Sequence, residues 1–252
     1  MSLAARGFRE CWAFSEMLHK IIFVQNFDER EVHMEKGFQL VNKYVHSIKH
    51  ENRFFVDDDV IKIFENIIEE NKDIIKTGSI LYRGRVLEDN REKPYGLDGY
   101  GIPSNDVTCN GRLNPFGINY LYTAENIETV VAELRPEINC NISIGTLRVE
   151  TDIPIIEICN TATSDYSEIA DFILLFSSIF TRHINAKNSM LEYIPMQYFA
   201  EFCKNKEIRG IRYLSSVNKD NYNVLLFDER CIKCIESKTI SVKSISYKYE
   251  YK

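Results

Sequence analysis

The chain of 252 residues has no apolar run approaching the roughly 20 residues that a helix needs to cross a bilayer. Its longest candidate, "IADFILLFSSIF" (Ile169 to Phe180), is short and carries Asp171, so it reads as a buried helix. The opening "MSLAARGFRE" lacks the apolar stretch of a signal peptide, and a cytoplasmic protein away from membranes is expected. Basic residues are in deficit, 31 against 37 acidic, for a net charge of −6. No general field would hold a nucleic-acid backbone, so nucleic acid is not an expected partner. The familiar nucleotide signatures are missing: there is no Walker A sequence and no GxGxxG after a strand. No Gly-x-Ser-x-Gly or Cys–His–Asn pattern offers a nucleophile, and His183 stands alone in a helical stretch. "CIKC", from Cys231 to Cys234, has no second CxxC or histidine pair at usable spacing, so no metal is expected. The seven cysteines, an odd number scattered at 11, 109, 140, 159, 203, 231 and 234, fit reduced thiols better than a disulfide framework. Internal repeats and low-complexity tracts are absent too.

What the chain does contain is ample material for a core, 44% hydrophobic residues with 14 Tyr and 15 Phe. Residues 1–77 read as a helical region. "DDDVIKIFENIIEENKDIIKTG" has aspartates suited to an N-cap and first turn. Its Ile61, Phe64, Ile68 and Ile75 recur at helical steps, and Gly78 stands where a helix end favours a left-handed residue. The acidic run Glu65, Glu69, Glu70 and Asp73 reads as a solvated face. From Gly78 the character changes, so 78–252 is expected to form a second unit. "SILYRGRV", "INYLYTA", "ISIGTLRVE", "IPIIEIC", "IRGIRYLSS" and "YNVLLFD" read as strands. "ENIETVVAEL" and the segments Asp165 to His183 and Pro195 to Lys204 read as helices. The Gly-, Pro-, Asn- and Asp-rich stretch from Leu87 to Cys109 is too long for an ordinary connection and is expected to be either a functional loop or partly mobile. Strands and helices without βαβ regularity indicate an α+β fold, a mixed β core with flanking helices behind the helical N-terminal region.

Several side chains have the chemistry for a site. "YRGR" sets Arg83 and Arg85 on one strand face, where two planar forks suit a diphosphate; the plainer reading is surface arginines paired with acids. In "GRLNPFG" the turn can present Arg112 and Asn114 at a cleft edge. Tyr120 and Tyr122 share a face opposite Leu121, one of them suited to a planar ring, unless both are core residues. Glu133, ten residues and one further step beyond Tyr122, lies on a helix between Ala132 and Leu134. It is either partly buried and paired, with Arg112 a candidate partner, or exposed at the helix edge. Ser215 and Ser216 end a strand, where a hydroxyl can meet a ligand or simply make a turn.

Together these blocks resemble the RES domain, a bacterial family named for its arginine, glutamate and serine. The resemblance spans roughly Ser79 to Asp228, carried by GR-x-N-P-x-G, a Leu-Tyr, an Ala-Glu, and "GIRYLSS" followed by "NVLLFD". It implies an ADP-ribosyltransferase-like fold and breakage of the nicotinamide–ribose bond of NAD, as glycohydrolase or phosphorylase, with NAD as substrate and no separate cofactor. It also implies a toxin neutralised by an antitoxin protein, with water, inorganic phosphate or occasionally a protein as acceptor. By position the family residues fall on Arg112, Tyr122, Glu133 and Ser215, with Ser216 open as the alternative serine. Arg83, Arg85, Asn114 and Ser216 are the expected substrate contacts. Under this implication Glu133 steadies the ribosyl cation, Arg112 holds the pyrophosphate, Tyr122 orients the ribose and Ser215 meets the nicotinamide or phosphate end. A mono-ADP-ribosyltransferase acting on a protein and a silent nucleotide-binding module are the competing classes. The amphipathic N-terminal helices are expected to brace the RES-like domain or to form a homodimer.

Overall fold

The computed structural model describes residues 27–88, 91–104, 106, 110–158, 168–181, 189–218 and 220–246. The helical reading of 1–26, and Cys11, Cys109, Cys159 and His183, lie outside them. The architecture is α+β, one mixed eight-stranded sheet in the order β1-β5-β6-β7-β3-β2-β4-β8 with helices against it. The strands are β1 (Lys72–Ile75), β2 (Ile80–Val86), β3 (Leu121–Ala124), β4 (Asn141–Val149), β5 (Ile153–Ile158), β6 (Gly210–Leu214), β7 (Tyr222–Leu226) and β8 (Ile232–Ser241). The helices are α1 (Phe27–His50), α2 (Asp58–Glu70), α3 (Ile127–Leu134), α4 (Glu168–Thr181), α5 (Ser189–Glu192) and α6 (Ile194–Asn205). Among the described strands only β5 and β6 run parallel; every other pairing is antiparallel. No described helix is long and apolar enough to cross a membrane.

α2 starts as its sequence predicts, with Asp57 accepting a hydrogen bond from the Asp59 amide and two aspartates in the first turn. Its end corrects the sequence reading. The helix stops at Glu70, where Asn71 turns its amide and its side-chain Nδ2 to the Ile67 carbonyl. The following "KDII" becomes β1, paired with β5 from Lys72↔Ile156 to Ile75↔Ile153. Its β-branched residues suit a pleated surface. Arg212 of β6 bonds both Glu157 of β5 and Asp73 of β1, at 2.6 Å for the latter, and ties the three strands together. The buried face of α2 is Val60, Ile63, Phe64, Ile67 and Ile68, so Ile61 belongs to the half-buried side and Ile75 to the sheet. Gly78 does take a left-handed φ of 87°, but in the turn between β1 and β2 rather than at a helix end. β8, which carries Cys234 at its start, is a second strand absent from the sequence reading; Cys231 and Cys234 are free thiols.

Both faces of the sheet are covered, so β7 alternates its apolar residues between two clusters. Leu225 joins the helical side, while Val224 and Leu226 face the opposite layer with Leu81, Leu121, Ile155 and Tyr100. On the helical side α1, α2, α4 and α6 pack around Phe64, whose ring lies 4.8 Å from Phe199 and 5.4 Å from both Phe176 and Tyr44. α1 and α2 therefore share one core with the helices of the second half of the chain. α3 covers a smaller cluster, in which Val130 meets Ala124, Ile142 and Ile144.

Candidate active site

β2 and β3 are neighbours in the sheet, yet a single residue pair joins them, Tyr82 with Ala124, where β2 and β4 share seven. An antiparallel ladder normally runs on along both strands. Here the strands part, and the opening is a cleft of about 780 Å³. Small-molecule sites commonly measure about 300–1,000 Å³. Tyr82, Arg83 and Gly84 line one bank and Tyr122, Thr123 and Ala124 the other.

α3 lies over the split. Asn126 caps it, its Oδ1 accepting from the Thr129 amide and hydroxyl at 2.8 and 2.7 Å. The helix ends at Arg135, left-handed at φ 47°, because Pro136 resists an α conformation in the residue before it. A Cβ on Gly84 would stand 2.4 Å from Val130 Cγ1 and 2.8 Å from Leu134 Cδ1. Only glycine lets the helix sit this close to β2. The seating brings Glu133 to the cleft, where it is exposed.

Glu133 Oε1 accepts hydrogen bonds from Ser215 Oγ at 2.8 Å and Asn223 Nδ2 at 2.6 Å. Both donors are buried, and among the described residues no ion pair joins Glu133 to Arg112, the partner considered from sequence. Ser215 Oγ also accepts from the amides of Val217 and Asn218, and Asn218 Nδ2 reaches Thr129 Oγ1 at 2.8 Å. The β6–β7 turn and α3 are thus locked to each other. The two serines divide: Ser215 turns to Glu133, and Ser216 lines the cleft.

Arg112 lines the cleft from a different anchorage. Its Nη1 donates to the Phe180 carbonyl at 2.7 Å, in the last turn of α4, where a helix dipole favours a cation. Its guanidinium also lies 5.7 Å from the Tyr193 ring centre. The turn beneath it is held by Gln197 of α6, whose Nε2 donates to Asn110 Oδ1, Gly111 O and Asn114 O.

Two expectations need correction, those for Asn114 and Arg85. Asn114 is not at the cleft edge: it is buried, donating to the Ile118 carbonyl at 2.9 Å and accepting from Tyr122 Oη at 2.8 Å. The Tyr122 hydroxyl is accordingly engaged inside the protein, also accepting from the Leu113 amide at 3.1 Å, and burial pushes its pKa up. Arg85 shares a strand face with Arg83 but does not line the cleft; it donates to Gly99 O at 2.9 Å and lies over the Tyr95 ring. Arg83 does line it, while donating to Gly101 O at 2.6 Å. Burial, and then Arg85, lower its pKa to about 10, so it is still charged at neutral pH.

The sequence reading missed Asn223, Tyr193, Tyr213, Arg135 and Gln197. Asn223 left a signal, a lone amide inside the apolar strand "YNVLLF". Tyr193 left none, since a tyrosine ahead of a helix start is ordinary.

The sequence matches the RES domain family over residues 97–250. No curated protein sequence matches the chain. Among solved structures, a chain in the crystal structure of the M. tuberculosis MbcT–MbcA toxin–antitoxin complex is similar, at 11% identity and a TM-score of 0.41. That similarity covers 72% of this chain and 93% of the other. The family match begins after β2, so Arg83 precedes it, while Arg112, Tyr122, Glu133 and both serines fall within it. It takes in every strand from β3 to β8 and more than half of the sequence, and on that ground the protein belongs to the RES domain family.

Proposed function

We propose that the protein is an NAD-consuming enzyme that cleaves the nicotinamide–ribose bond, as glycohydrolase or phosphorylase, and acts as a RES-type toxin restrained by an antitoxin protein. The observation that carries the reading is the posture of Glu133, with one oxygen held by two buried donors in a cleft shared with Arg83 and Arg112. Cleavage passes through an oxocarbenium-like ribosyl cation, as in glycoside hydrolysis. Nicotinamide leaves as a neutral base from a cationic precursor, so no general acid is required. Catalysis then rests on positioning and on negative charge beside the developing cation. Glu133 supplies that charge, and holding Oε1 aims Oε2 at the substrate. Arg112 and Arg83 attract the pyrophosphate or an acceptor phosphate. The Tyr122 ring packs against the substrate, and Ser215 acts through Glu133 rather than on the ligand.

Timed release of nicotinamide from NAD, with and without inorganic phosphate, tests the reading. Free ADP-ribose, or its 1-phosphate when phosphate is present, is the expected product. Label from NAD ending on a protein of the lysate would reassign the chain as a mono-ADP-ribosyltransferase. Absence of turnover would overturn the proposal, and NAD bound without being cleaved would leave a nucleotide-binding module in its place.

A further inference from the structure

We propose that α1, which lies outside the family match, is part of the substrate site: it positions Tyr193 by clamping the chain on both sides of it. The inference rests on the reading of the cleft as a substrate site. Tyr193 forms the break between α5 and α6, and it lines the cleft with its ring beside Arg112. Local structure holds its backbone on one side only, the Tyr193 carbonyl accepting from the Met196 and Gln197 amides of α6 at 3.1 and 2.9 Å. α5 is a single turn of four residues, and Tyr193 offers α6 no side-chain cap.

The restraints come from α1. Lys49 Nζ pairs with Glu192 Oε2 at 2.8 Å, just before Tyr193, and the lysine side chain is only 9% exposed. Tyr44 Oη, on a residue 3% exposed, donates to the Pro195 carbonyl at 2.7 Å, just after Tyr193. A shielded ion pair resists opening, because separation leaves a charge without its partner away from water. The Tyr44 ring is itself wedged against Phe64, Phe176 and Tyr198. The same first turn of α6 carries Gln197, which holds the turn bearing Arg112. Tyr44 and Lys49 are therefore positioning residues for one aromatic wall of the cleft and, one step removed, for its arginine.

The test compares Tyr44→Phe, Lys49→Glu and the swap Lys49→Glu/Glu192→Lys in the full chain, each checked for native circular dichroism. Tyr44→Phe removes one hydroxyl and keeps the ring, so it serves if Lys49→Glu does not fold. Amide exchange over 189–197 should quicken in both single variants while exchange over α3 is unchanged. KM for NAD should rise on the order of two- to thirty-fold, the range for residues acting without touching a ligand. The swap should restore both readings. Unchanged exchange and unchanged KM in the single variants would overturn the clamp while leaving the proposed function intact. Faster exchange in a protein whose wild type neither binds nor turns over NAD would instead overturn the proposed function, and with it any service of the clamp to a substrate.

Discussion

Glu133 has one carboxylate oxygen between Ser215 and Asn223, and its other oxygen accepts no hydrogen bond among the described residues. Glu133→Gln keeps the shape and one acceptor oxygen but removes the charge. Nicotinamide release should then fall on the order of 10²–10³-fold, the usual effect of losing one charge-stabilising group. NAD binding, measured by calorimetry, should change far less; turnover near that of the wild type would remove Glu133 from the mechanism. Arg112 makes a different demand. Arg112→Lys keeps a charge but loses the fork that reaches the Phe180 carbonyl while facing the cleft. A raised KM with a smaller change in kcat is expected, and equal kinetics for the two residues would mean that simple charge suffices. At this scale the sequence was a good guide to residue type and a poorer one to direction. Arg112, Tyr122, Glu133 and Ser215 do converge, but the Asn114 amide and the Tyr122 hydroxyl turn inward to each other. The turn that carries Asn114 is itself held by Gln197, which lies 83 residues away along the chain.

Among the elements, α3 carries the clearest local signal, since Asn126 precedes an apolar helix and Pro136 follows it. Asn126→Ala should cost about 1 kcal/mol of stability, the usual cost of losing an N-cap, read as a lower denaturant midpoint. It should also loosen Glu133, because Asn126 Nδ2 is bonded to Asn221 Oδ1 in the turn after Ser215. Loss of stability with fully retained activity would separate the cap from the site. β1 shows why other elements were not legible. "KDII" directly follows a strong helix and shares its acidic and apolar composition, and only the partners Ile153, Ile156 and Arg212 select a strand. β8 fared similarly: its half-exposed alternation lacks the apolar density that marked the inner strands.

For the whole molecule, the shared core and β1 bear on how the chain can be cut. A chain starting at Gly78 loses α1 and α2, uncovering Phe172, Phe176 and Phe199, and also loses the strand that covers the edge of β5. An open edge beside exposed apolar surface favours association. Such a chain should aggregate on size-exclusion chromatography, and a monodisperse, equally stable product would show that the N-terminal helices are a separable module.

The single rung between β2 and β3 has a mechanical consequence. The sheet amounts to a panel of five strands and a panel of three, meeting at a joint where Tyr82 faces Ala124. α3 contacts β2 and β3 alike and acts as a splint across that joint. Its height over the joint is set by Gly84, where an added Cβ would press on Val130 and Leu134. Gly84→Ala should therefore raise KM for NAD by shifting α3, and Glu133 with it, away from β2, and an unchanged KM would show that the splint can yield. The aperture of the cleft is governed by a side chain that the protein does not have.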